Sequence, residues 1–159
     1  LEVIMESGAQ QTKRVVRFMN LLPSGEDSTL VVLKGHLLIE ELLTDLLVLC
    51  LNQDNPLGIK VNNNMMFAKK LELCWIFLRE SALPKEIWIS LKALNSIRNK
   101  MSHHVAPDGV NDSINNFIRG VANYDPFGLV ACSDIRKLEL SISCLYVLLN
   151  EQLYLKRNS

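Results

Sequence analysis

Between Ser96 and His104 the sequence reads SIRNKMSHH. Arg98, Asn99, Lys100, His103 and His104 fall within seven consecutive residues there. Arginine presents a planar fork of N–H donors that matches a phosphate. Histidine exchanges a proton near neutral pH, because its ordinary pKa is about 6.5. An arginine and a histidine five positions apart therefore suit proton-transfer chemistry at an anionic group. The competing reading is a solvated helix end, where cationic side chains sit well against the helix dipole.

The stretch closes an apolar helical pattern that begins near Pro84 and cannot easily pass Pro107-Asp108-Gly109. Taking Ile87 as zero and turning about 100° per residue, Arg98 falls at about 20°. It lies between Leu91 at about 40° and Leu94 at about 340° on that projection. Arg98 thus sits inside the apolar stripe, where an unpaired charge costs several kcal/mol and demands a partner. His103 lies about 140° away, so the two side chains do not converge on one regular helix. They meet only if the helix unwinds near Met101 to His104, or if a second subunit completes the site.

The carboxylate expected to hold Arg98 comes from the long leucine-rich segment Leu30 to Leu51. One side of it carries Val31, Leu38, Ile39, Leu42, Leu46 and Leu49, and Leu33, Leu37 and Leu47 lie opposite. A helix apolar on two sides is either central in a bundle or covered by a partner. Glu40 lies between the two sides and is expected to pair with Arg98, with Glu41 as the alternative. His36 reads as a core or interface histidine. Lys34, Glu41 and Asp45 read as a solvated face, and Lys13, Arg14 and Arg17 as surface charge. Trp75 and Trp88 read as packing.

The other elements follow from caps and breakers. Gln10 to Leu22 reads as a short helix ended by Pro23-Ser24-Gly25. Asp27-Ser28-Thr29 offers an N-cap for the long helix, which runs to about Asn52. Asn52 to Gly58 reads as a turn, and Val61 to Met65 as a loop. Met66 to Arg79 is amphipathic, with Phe67, Leu71, Cys74, Trp75 and Leu78 on one side. A weaker helix covers Val110 to Val121, NYDPFG is a turn, and Ser133-Asp134 is expected to cap a last helix to about Leu155. Sustained period-two alternation is absent, so the fold expected is an all-α, single-domain bundle of about five to six helices over 1–159.

Composition narrows the function classes. Seventeen basic and 17 acidic residues balance, which argues against non-specific coating of nucleic acid but not against a small basic site. The four cysteines form no C-x-x-C pair and have no histidine at metal-ligand spacing, so reduced thiols of a cytoplasmic protein are expected. No apolar run reaches transmembrane length, and the opening LEVIMESG, with Met5 inside it, carries no signal-peptide pattern. Gly-rich phosphate loops, G-x-S-x-G and H-E-x-x-H are missing, and no cofactor or metal is expected.

The motif R-N-x-x-x-H, here Arg98 to His103, follows GHLLIEELLTDLL, NPLG and AKKLELCWIF. Over roughly Leu30 to His104 this resembles the HEPN superfamily, and most closely its mannitol operon repressor-like branch. The resemblance implies an all-α fold and a dimer that sets two motifs face to face in a cleft. In active members it implies metal-independent RNA cleavage, with His103 as acid/base and Arg98 as phosphate binder and transition-state stabiliser. Asn99 would position the strand or His103, Glu40 would orient Arg98, and His104 would be a second proton carrier. The implied partners are an RNA substrate, a second copy of the chain, and an antitoxin or regulatory protein if the chain is a toxin or phage-defence effector. Many members are not enzymes, and in the repressor-like branch the motif is often degraded; here it is intact. The alternative expectation is a non-catalytic dimer acting as a regulator or interaction module.

Overall fold

The structure is a computed structural model that describes residues 5–25, 27–51, 55–62, 64–81, 83–104 and 107–159. Within them the chain is all-α, with seven helices: α1 Gly8–Leu21, α2 Ser28–Leu51, α3 Phe67–Leu78, α4 Lys85–His103, α5 Val110–Ala122, α6 Leu129–Cys132 and α7 Lys137–Arg157. None of them is long and apolar enough to cross a membrane.

Local chemistry sets most of the ends. Ser7 and Gln10 form a reciprocal capping box that starts α1, satisfying two N–H groups that the first turn would otherwise leave open. The Asp27 carbonyl accepts the Val31 N–H at the start of α2. Pro84 directly precedes α4 at φ −65°, the value its ring imposes. Gly109, at φ 70°, turns the chain into α5 through a conformation that a side chain would resist. Of the expected turn at 52–58, residues 52–54 lie outside the described residues; its end closes through a Gly58 N–H to Asn55 carbonyl bond of 3.1 Å.

Two expectations at the C-terminal end are corrected. The four-residue α6 was not anticipated. Ser133-Asp134 does not cap α7; the Ser133 hydroxyl folds back on Ile135, and Arg136 enters the helix in the left-handed region at φ 56°.

α2 packs against α3, α4 and α7. Its burial on several sides, from Val31 and Val32 to Leu46 and Leu47, identifies it as the central helix of the bundle. Leu47, placed by projection on the far side, is buried, whereas Leu37 is exposed. Gly35 lets α7 approach: a Cβ there would lie 2.8 Å from Ile142 Cγ2. Burying one Leu or Ile side chain contributes about 1.5–3 kcal/mol, so this face supplies much of the driving force for folding.

The direction of α4 relative to α2 decides the site. The Phe67 ring stacks on His36, Lys70 reaches Glu40, and Cys74 donates to the Leu43 carbonyl. Residue numbers rise together along α2 and α3, so these helices run parallel. α3 ends at Leu78 and α4 begins at Lys85, a connection short enough to make packed neighbours antiparallel. Asn95, well along α4, accordingly meets His36, the residue on which Phe67 at the start of α3 stacks. α4 therefore runs antiparallel to both α2 and α3.

Candidate functional site

α4 remains helical through His103, and His104 leaves it in extended conformation at φ −139°, ψ 136°. No unwinding brings His103 round to Arg98. Within one chain the two lie on different sides of the helix, with Arg98 half-buried and His103, His104 and Asn99 exposed. Arg98 donates to the neighbouring Asn99 Oδ1 at 3.2 Å, the one hydrogen bond of its guanidinium among the described residues.

The expected Glu40–Arg98 ion pair is not formed. Glu40 Oε1 accepts from Lys70 Nζ at 2.8 Å, and Lys70 is buried. The cause is helix direction. His36 on α2 faces Asn95 on α4, with Nε2 2.9 Å from Asn95 Oδ1. Glu40 lies one turn from His36 toward the C-terminus of α2. Arg98 lies about one turn from Asn95 toward the C-terminus of α4, which is the opposite direction in space. The histidine therefore stands between the carboxylate and the arginine. The alternative, Glu41, is also engaged: Arg17 Nη1 reaches its Oε2 at 2.8 Å. Lys13 stays a surface charge, but Arg14 is half-buried and pairs with Glu6 and Asn150, tying α1 to α7.

Helix direction also explains why Arg98 is only half-buried although it lies on the apolar arc of α4. α3 begins at Phe67, level with His36 and Asn95. One turn further along α4, at Arg98, there is no α3 left to cover it. Ile97 takes the buried position at this end of the helix.

The cluster behind Arg98 was legible only in fragments. His36 and Glu40 stand at i,i+4 on α2, and Asn95, Arg98 and Asn99 share a face of α4. Neither spacing reveals that the two sets meet. His36 is 3% exposed, and burial pushes its pKa below the ordinary value. Arg98 and Lys70 push the same way, while the bond to Asn95 and the charge of Glu40 oppose them. The imidazole is therefore neutral at neutral pH.

Trp75 departs from expectation too. Trp88 is packed, but Trp75 is half exposed and lines an open apolar groove of about 430 Å³ with Ile76, Ile89, Glu72 and Lys92. The four cysteines are free thiols; Cys74 donates to the Leu43 carbonyl, and burial, with Asp125 beside it, pushes Cys144 up to about 12. Comparison with family models, with curated proteins and with solved structures finds no match for this chain.

Proposed function

We propose that this chain is an RNA endonuclease of the HEPN type, cutting without a metal ion as a homodimer, in the role of a toxin or phage-defence effector. The observation that carries this reading is the state of Arg98. A half-buried guanidinium with no carboxylate partner among the described residues is electrostatically unspent. A phosphate supplies what it lacks, in a bidentate geometry that arginine fits.

In this reading Arg98 binds the scissile phosphate and stabilises the charge on the phosphorane, and Asn99 aligns the strand. One histidine takes the proton from the 2′-hydroxyl, whose oxygen then attacks phosphorus. The bond from phosphorus to the 5′-oxygen breaks, and a second histidine protonates that oxygen. The products are a cyclic phosphate and a free 5′-hydroxyl. His103 and the same residue of a second copy fill the two proton roles, with His104 as the other candidate. Glu40 does not orient Arg98 directly; it anchors Lys70 behind the site.

A second reading is favoured by the groove lined by Trp75, Ile76 and Ile89. A HEPN-like dimer that cuts nothing would use this apolar surface to bind a protein and act as a regulator.

The test is incubation of purified dimer with RNA in EDTA. Wild type is expected to cut and leave cyclic phosphate ends. Arg98→Ala and His103→Ala should each lose about 10²-fold or more in rate. Their melting temperatures should stay close to wild type, because His103 is exposed and Arg98 has no buried partner to strand. If no class of RNA is cut by the folded dimer, the regulator reading replaces the enzyme.

A further inference from the structure

Two buried side-chain atoms lack a hydrogen-bond partner among the described residues, and one of them is His36 Nδ1. Asn95 Oδ1 can only accept, so Nε2 carries the ring proton and Nδ1 presents a lone pair. That lone pair lies 4.0 Å from Glu40 Oε2, an acceptor facing an acceptor. The ring cannot turn away to relieve this, because Phe67 stacks on it with centroids 4.2 Å apart. A leucine would fill such a position at less cost in unsatisfied polarity. What the imidazole adds is its bond to Asn95. Asn95 stands three residues before Arg98 and four before Asn99, on the same face of α4.

We propose that His36 is a positioning residue for the Arg98–Asn99 turn, holding α4 through its Nε2–H bond to Asn95 so that the turn faces a phosphate. This deepens the reading of Arg98 as a phosphate-binding group and rests on it. The charged groups that face the imidazole are Glu40 on its own helix, Lys70 on α3 and Arg98 on α4. Since Arg98 and the imidazole feel each other's charge, occupancy at Arg98 is reported at His36. An anion that neutralises Arg98 makes a proton on His36 easier to hold, and the linkage is reciprocal.

The experiment uses a fluorescent, fully 2′-O-methylated RNA oligonucleotide, which keeps the phosphates but lacks the nucleophile, with the whole chain as it assembles in solution. His36→Gln places an amide N–H near the position of Nε2; His36→Leu fills the space without a donor. At neutral pH, His36→Leu is expected to weaken binding about ten-fold, the scale of one lost hydrogen bond, while its melting temperature holds. His36→Gln is expected to restore affinity to within about two-fold of wild type. In the second arm, the imidazole of His36 is titrated by NMR with and without saturating oligonucleotide. Its pKa is expected to rise on saturation, and to rise in Arg98→Gln, where saturation no longer moves it.

Equal affinities for the Leu and Gln variants, or a His36 titration indifferent to the oligonucleotide, would overturn the proposal. If that happens while wild type still cuts unmodified RNA, the endonuclease reading survives alone. If both arms succeed and no RNA is cut, His36 positions a phosphate-binding turn in a protein that is not a nuclease. A wild-type chain that binds no oligonucleotide removes both.

Discussion

Glu40 and His36 carry the residue-scale consequences. Glu40 neutralises a lysine whose side chain is 7% exposed, while its own is 25% exposed. Glu40→Ala would strand the ammonium in the bundle. The expected cost is about 2 kcal/mol, below the full penalty for a buried pair because water reaches the carboxylate. Denaturant unfolding measures it, and unchanged stability would mean that Lys70 reaches water unaided. His36 gives a pH dependence. Its pKa in the fold is lowered, so between that value and about 6.5 the unfolded chain binds a proton that the folded chain does not. Its contribution is therefore complete above about 6.5 and is lost as pH falls from there toward the native value. Unfolding free energies measured on either side of that window should differ more for wild type than for His36→Gln.

At the scale of elements, the contact of α2 with α7 is the most sensitive seam. Gly35→Ala would push a methyl group into Ile142, which is fully buried and cannot swing aside. Overpacking of this kind costs about 1–3 kcal/mol. Thermal unfolding of Gly35→Ala checks this, and an added Ile142→Val change should recover part of the loss. Most helices were legible because each is written in contiguous residues: an apolar repeat, Asp27-Ser28-Thr29 at the start of α2, a proline before α4. α6 was not, since four residues cannot display a period. The entry to α7 was misread for another reason. A serine followed by aspartate predicts a cap, but the hydroxyl closed a turn on Ile135 instead.

For the whole molecule, the outer face of α4 is decisive. Ser96, Asn99, Lys100 and His103 form an exposed polar strip there, with Ile89 further along the same face. Arg98 and His103 can serve one phosphate only if a second copy covers this strip and brings its own pair. Ser96→Arg would set a bulky cation at the middle of that face. For the dimeric nuclease proposed above, the expected result is a monomer by gel filtration, helical by circular dichroism and unable to cut RNA. A wild-type monomer would remove the proposed dimer and its composite site, and a Ser96→Arg dimer with full activity would place the interface elsewhere.

By itself the sequence determined the helical class, the placing of most helices, and the motif Arg98 to His103, because these depend on residues near one another in the chain. It also determined that Arg98 lies on an apolar arc and that His103 does not share it, since a regular helix permits nothing else. Only the tertiary structure decided which partners those residues have. α3 runs parallel to α2 and α4 antiparallel, a matter of connections rather than periodicity. That reversal sends Glu40 to Lys70, leaves Arg98 beyond the cover of α3, and sets His36 against Asn95. A projection of one helix specifies the angle of a side chain about its axis, but not which end of a neighbouring helix lies beside it.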